Sequence, residues 1–248
     1  MSVPSVRDQV ALVTGGSSGI GLAVAHALVN AGMRVVVVGR SRSRLRAAAA
    51  ELIARAGGGS PDRGATSRVL AVVADVSKPS DVRQVVHQIL ARFGQIDVLV
   101  NNAGISRHGR VEDLSARDWD RVQSVNLRGA FLCTRAVLPS MKRRRRGYIV
   151  NISSLAGKIG MAGSSAYCAS KFGLVGLSQA IGEEGAPWNI RATAICPAYV
   201  NTPMVRGAPV APSRMIQPQD IAATVLYLLR LTDYAVVKEI VLERQGAD

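Results

Sequence analysis

The chain predicts an α/β fold, a doubly wound parallel sheet of about seven strands with helices on both faces. Three observations carry that expectation. Short apolar, β-branched runs alternate with stretches of helical periodicity along the sequence, as where residues 34–38 precede the Ala- and Arg-rich stretch 43–55. Strands that read as continuous apolar runs suit a parallel sheet buried on both faces, and repeated strand–helix alternation implies right-handed β-α-β crossovers. Glycine is frequent, 24 of 248 residues, while aromatics are only 4%, which fits close helix–sheet contacts and tight turns better than a β-sandwich.

The elements follow in order. Val10-Ala11-Leu12-Val13 is a strand that stops at Thr14-Gly15-Gly16, and a helical pattern then runs from Gly19 to about Ala31. Residues 34–38 form a strand and about 43–55 a helix. The stretch 57–67, rich in Gly, Ser, Pro and Asp, reads as a surface loop. Next come a strand at 69–74, a helix at about 79–93, a strand at 98–100 and a longer helix at about 116–142 with an irregular start. A fifth strand at 148–152, a helix at 165–184, a strand at 191–195, a helix at 218–229 and a short strand at 239–242 complete the pattern. A chain of 248 residues suits one such domain, which buries roughly three quarters of its unfolded surface without staples. There is no internal repeat, linker or sign of a second domain.

Lys and Arg number 31 against 17 Asp and Glu, a formal charge of +14. Such a balance suits anionic small molecules, nucleic acids or membrane surfaces. Most of these cations are scattered along amphipathic stretches as solvated positions. The one dense run, Lys142 to Arg146, precedes an apolar strand and reads as a helix end, where positive charge complements the macrodipole. No nucleic-acid motif accompanies it, and no apolar run approaches a membrane span. Cys133, Cys168 and Cys196 form neither a disulfide framework nor a metal-ligand pattern, and residues 1–9 lack an apolar core of the signal-peptide kind. The expectation is a soluble cytoplasmic protein with no metal site. His26, His87 and His108 have no metal or triad partner in view.

Parallel sheets bind ligands at the carboxyl ends of their strands, where strand order reverses. The first strand-to-helix turn reads Thr14-Gly15-Gly16-Ser17-Ser18-Gly19-Ile20-Gly21. Its small residues let the backbone approach a pyrophosphate, and the helix N-terminus offers free N–H groups and partial positive charge.

This T-G-x-x-x-G-x-G spacing resembles that of the short-chain dehydrogenase/reductase family. The resemblance runs along nearly the whole chain: Asp75-Val76 after the third strand, Asn101-Asn102-Ala103-Gly104 after the fourth, Asn126 in the long helix, Ser154 past the fifth strand, and Tyr167 and Lys171 on the next helix. It implies a Rossmann-type NAD(P) fold in which Asp75 and Val76 flank the adenine and Asn101 to Gly104 support sheet and nucleotide. It also implies that Val200 and Thr202, after Pro197, contact the nicotinamide amide, and that the chain works as a homotetramer or homodimer. Two places depart from the family pattern. Ala198 stands where Gly is usual, which disfavours a positive-φ turn, and the end, Val241 to Gln245, lacks the familiar Asp-Gly-Gly.

Cofactor choice follows from charge. A carboxylate at the end of the second strand would hold ribose hydroxyls and repel a 2′-phosphate, but here the strand ends Val38-Gly39-Arg40-Ser41-Arg42, with no acid until Glu51. Arg40 can pair with a phosphate and stack on adenine, with Arg42, Ser17 and Ser41 in support. NADP(H) is the expected cofactor.

Tyr167 and Lys171 are spaced i, i+4 and share a helix face. A phenol titrates near ~10, and a nearby ammonium is expected to pull that value down. In carbonyl reduction Tyr167 would supply the proton, Ser154 would stabilise the developing charge on oxygen, and Lys171 would hold the nicotinamide ribose. By resemblance, Asn126 anchors a water linking Lys171 to solvent. Residues 203–217, with apolar Met204, Val205 and Met215 and cationic Arg206 and Arg214, read as a flexible lid over a small-molecule carbonyl or 3-oxoacyl substrate, and substrate identity is expected to lie there together with Leu155 to Gly163. The alternatives are an NAD-dependent alcohol dehydrogenase of the same fold, or a nucleotide-binding sensor without turnover.

Overall fold

The computed structural model describes residues 4–56 and 68–246; the loop expected at 57–67 lies outside them. Strands β1 (Val10–Thr14), β2 (Arg34–Gly39), β3 (Val69–Val73), β4 (Val98–Asn101), β5 (Gly147–Ile152), β6 (Ile190–Pro197) and β7 (Glu239–Leu242) form one sheet in the order β3-β2-β1-β4-β5-β6-β7. Every pairing is parallel. Order reverses between β1 and β4, which opens a crevice at their carboxyl ends.

The helices are α1 (Gly19–Asn30), α2 (Arg42–Ala56), α3 (Pro79–Phe93), α4 (Ala116–Gln123), α5 (Gly129–Arg144), α6 (Ser165–Gly185) and α7 (Pro218–Leu229). Alternation along the strands splits the core between the two faces. Ala11 and Val13 pack with Val24 and Leu28 of α1 and Ile221 and Val225 of α7. Val10 and Leu12 pack on the other side with Val85 and Ile89 of α3 and Val137 and Met141 of α5. Local signals set the boundaries: Pro79 opens α3, and Gly94 closes it with φ 75°.

One element departs from expectation. The stretch foreseen as one helix with an irregular start is α4 and α5 joined by a π turn at Ser124–Arg128. The irregularity falls in the middle, at the turn that carries Asn126. Apolar periodicity continues across a single π turn, so the sequence pattern does not reveal it.

Three of the five cations of the basic run, Lys142, Arg144 and Arg145, are engaged by the fold. Arg145 ends α5 in the left-handed region, φ 49°, and donates to the Pro187 carbonyl at 2.9 Å. Lys142 and Arg145 each lie 5.6 Å from the Trp188 ring centre. Arg144 donates to Asp97 Oδ1 at 2.7 Å. Asp97 is only 3% exposed, and its Oδ2 accepts the Val10 N–H at 2.7 Å and Gln95 Nε2 at 2.9 Å. This carboxylate therefore pins the start of β1 to β4 and to the end of α5.

Arg144→Ala removes the cation from a carboxylate that stays buried. Since Arg144 is itself 30% exposed, the expected loss is about 1–3 kcal/mol, less than for a fully buried pair. Thermal unfolding should show a drop of roughly 3–10 °C, and Arg144→Lys should recover most of it.

Candidate active site

Thr14, the last residue of β1, ties the two sides of the switch point together. Its Oγ1 accepts the N–H groups of Asn102 and Ala103 at 3.0 and 3.1 Å and donates to the Val100 carbonyl at 3.3 Å. Asn102 replies with Nδ2, which donates to the carbonyls of Thr14 and Gly15 at 2.9 and 3.2 Å. Only glycine fits between these turns. Gly15 has φ +66°, and a Cβ there would lie 2.9 Å from Asn102 Nδ2; a Cβ on Gly21 would collide with the same amide and the Gly15 carbonyl. Ser18, the N-cap of α1, makes no side-chain capping bond, so the leading amides of α1 remain open to an anion.

A cleft of about 300 Å³ runs along these strand ends. Gly15, Ser17, Ser18, Gly19 and Ile20 line it after β1, and Arg40 after β2. Asp75 and Val76 line it after β3, and Asn102, Ala103 and Gly104 after β4. Ser154, Tyr167, Lys171, Pro197, Val200 and Thr202 complete the far end. Gly21 and Asn126, also named from sequence, do not line the cleft. The cradle of tight glycines and open helix amides, with Arg40 beside it, suits the phosphates of a dinucleotide.

Two expected phosphate partners are displaced. Arg42, the first residue of α2, does not line the cleft; Arg44 does, and sequence reasoning missed it. Ser41 Oγ is taken up at the start of α2, 3.4 Å from the Arg44 N–H and 3.1 Å from Ser43 Oγ. Ser41 thus caps α2 by accepting the N–H of its third residue, and the helix that starts at Arg42 turns Arg44 rather than Arg42 toward the cleft. Burial tends to raise the Asp75 carboxyl, but bonds from Ser77 N and Oγ (3.0 and 2.7 Å), with Arg40 and Lys78 nearby, leave it below its ordinary value.

At the far end, Ser154 lies two residues past β5 as the N-cap of a short 3-10 turn, Leu155–Gly157, with its Oγ accepting the Ala156 N–H at 3.1 Å. Lys171 is buried, 4% exposed, and its Nζ donates to the Ile152 carbonyl at 2.7 Å and lies 5.5 Å from the Tyr167 ring centre. Burial pushes the Lys171 ammonium down to about 8. The expectation of a depressed Tyr167 is corrected. Burial raises the phenol above its ordinary value, and the hydrogen bond with Ser154 opposes this without cancelling it. The ammonium is directed at a backbone carbonyl and does not offset the desolvation of the phenol.

Asn126 holds the Ile105 peptide at both ends, donating to its carbonyl at 2.9 Å and accepting its N–H at 2.8 Å. Its Nδ2 also donates to Ser170 Oγ at 3.0 Å, and Ser170 donates to the Tyr167 carbonyl at 2.7 Å. Ala198 needs no positive φ: among the described residues only Asp8, Arg145 and Asn189 adopt one without being glycine. Its N–H donates to the Leu242 carbonyl at 2.8 Å, so the turn accommodates the extra methyl. Of the stretch expected to act as a lid, only the start reaches the cleft. Pro203, Met204 and Val205 reach the cleft, whereas Ile216 pairs with Val200 and Gln217 caps α7. Arg206 is exposed and does not line the cleft.

The chain belongs to the short chain dehydrogenase family, whose model matches residues 9–211. It is 38% identical over 232 residues to a 3-oxoacyl-[acyl-carrier-protein] reductase of Synechocystis sp., covering 90% of each chain. The structure resembles an alcohol dehydrogenase of the archaeon Thermococcus sibiricus complexed with 5-hydroxy-NADP, with TM-score 0.86, 30% identity and 97% of each chain covered. It also resembles a metagenomic short-chain oxidoreductase in complex with NADP, with TM-score 0.82, 35% identity and 97% and 98% coverage. The protein is thus an oxidoreductase of that family. Among the described residues no helix is long and apolar enough to cross a membrane.

The buried Lys171 has a consequence for stability. Because the folded chain releases this proton at about 8 while the unfolded chain holds it to ~10.4, the unfolded state binds more protons in that window. Stability contributed by this group therefore rises with pH between those values, and its cost is fully present at pH 7. Lys171→Met should stabilise the chain at pH 7 by about 1–3 kcal/mol, and denaturant titrations should show the rise above pH 8 flattened.

Proposed function

We propose that the protein is an NADP(H)-dependent carbonyl reductase that converts a ketone, aldehyde or 3-oxoacyl compound to an alcohol. The observation that carries this reading is one cleft with Arg40 and Arg44 at one end and Ser154, Tyr167 and Lys171 at the other. No carboxylate follows β2 until Glu51, so nothing there repels a 2′-phosphate, and two guanidiniums offer paired hydrogen bonds to one.

When bound, NADPH supplies the hydride for the carbonyl carbon. The chain does the rest. The raised phenol keeps Tyr167 protonated at neutral pH, the form needed to donate a proton to the developing alkoxide. Ser154 hydrogen-bonds the same oxygen, and Lys171 holds the ribose and orients the phenol. Asn126 fixes the Ile105 wall and, through Ser170, the backbone of Tyr167. Pro203, Met204 and Val205 give the mouth an apolar side that would exclude water from the reacting carbon.

We read the chain as one nucleotide-binding domain spanning 1–248, since its single sheet draws strands from Val10 to Leu242. Three buried free cysteines fit a reducing cytoplasm. Phe131 on α5 and Phe172 on α6 are 44% and 46% exposed, and we take these helices as the face of a homo-oligomer. Light scattering should return a dimer or tetramer mass, with Phe172→Glu shifting it downward; a monomeric wild type removes this part of the reading.

The main test follows NADPH and NADH oxidation against ketones, aldehydes and 3-oxoacyl thioesters. NADPH turnover should disappear in Tyr167→Phe. The double variant Arg40→Ala/Arg44→Ala should weaken NADPH by about 1.5–3 kcal/mol and leave NADH nearly unchanged. A wild type that prefers NADH supports the alcohol dehydrogenase alternative, and tight NADPH binding without turnover on any compound supports a sensor.

A further inference from the structure

The helix that carries Tyr167 and Lys171 begins without its usual cap. Ser164 stands at the N-cap position of α6, where a serine hydroxyl ordinarily accepts a first-turn N–H and contributes about 1 kcal/mol. It makes no such bond, and its backbone, φ −132° and ψ 27°, lies outside the extended capping geometry. The buried hydroxyl instead lies 3.2 Å from His108 Nδ1, on the loop after β4. The other ring nitrogen, Nε2, is 3.2 Å from Ser106 Oγ, and the Gly109 N–H donates to the Gly163 carbonyl at 3.0 Å. Serine hydroxyls both donate and accept, so the imidazole is gripped at both nitrogens in either neutral tautomer.

The start of the same loop is already held by Asn126, which bonds both ends of the Ile105 peptide. The loop is thus tied to α6 at two places: through Asn126 and Ser170 to the Tyr167 carbonyl, and through His108 to Ser164. Ser164 precedes Tyr167 by three residues, about one helical turn. The first turn of a helix lacks intrahelical partners for its N–H groups and frays unless something holds it.

We infer that His108 is a positioning residue, holding the first turn of α6, and with it the Tyr167 phenol, against the loop that forms the opposite wall of the cleft. The inference rests on the reading of Tyr167 as proton donor. His108 is exposed and does not line the cleft, so it acts through Ser164 and not on the reacting atoms. Displacing a reacting group by a fraction of an ångström lowers turnover without touching nucleotide affinity.

His108→Ala should lower kcat about tenfold while the Kd for NADPH, read by fluorescence titration, stays within twofold of wild type, about the error of such a comparison. Hydrogen exchange of the amides of residues 165–168 should speed up in the same variant. His108→Asn places its amide where Nδ1 stood and should restore most of the turnover. His108→Gln reaches only the Nε2 position, keeps the Ser106 contact, and should stay impaired. Ser164→Ala should match His108→Ala, with the double variant no worse than either single one. A merely structural role would lower Tm without separating Asn from Gln. Unchanged kcat and exchange in His108→Ala, or equal behaviour of Asn and Gln, overturns the inference alone. Full turnover in Tyr167→Phe removes the proton-donor reading and this inference with it.

Discussion

The site depends on the exchange of hydrogen bonds between Thr14 and Asn102. Parallel strands leave their last carbonyls and the amides beyond them unpaired, and at the switch point no neighbouring strand is available for them. One threonine hydroxyl takes two of these amides while one asparagine amide takes two of the carbonyls. This brings the turns after β1 and β4 so close that Gly15 and Gly21 have no room for a Cβ. The same closeness leaves the amides at the start of α1 facing the crevice, so that satisfying the backbone and building an anion cradle are a single event.

Across the sheet, polar groups carry position from strand to helix. Asn101 Nδ2 donates to Thr134 on α5 and to Asn151 on β5, and Asn151 donates to Ser178 on α6 at 2.7 Å. Buried chains of this kind are costly when half satisfied, and they fix register more sharply than apolar packing does. Here they set α6 against β4 and β5, the strands that end at the cleft. Asn126 and Ser170 then act one turn from the phenol itself.

Much of the fold was legible because parallel strands announce themselves as apolar runs and α3 carries both a Pro start and a Gly stop. Most of the residues named for the site line the cleft, because the motifs that resemble the family's fall at strand-end turns, which converge in a sheet of this topology. What escaped depended on three dimensions. The spacing of Tyr167 and Lys171 showed that they share a helix face, but not that Ile152 claims the ammonium or that burial governs both groups. Choosing Arg44 over Arg42 needed the start of α2. The π turn at Asn126 leaves no compositional mark, and the basic run, legible as a helix end, gave no sign of its contacts with Trp188 and Asp97. His108, without a partner in sequence, meets Ser164 only because two loops fold toward each other.

These misses share a cause. Local preference and the needs of the site disagree at the same few residues: a lysine is buried where its charge is expensive, a serine gives up its cap, and a helix opens into a π turn to present an asparagine. Each departure lowers stability locally, so the surrounding structure must over-determine it. The sheet supplies that surplus through two apolar layers, and the loops supply it through paired bonds at Ile105, Gly109 and Ser164. Relaxing one of the departures is expected to stabilise the chain locally while shifting the group it places, Lys171, the first turn of α6 or Asn126, relative to the cleft.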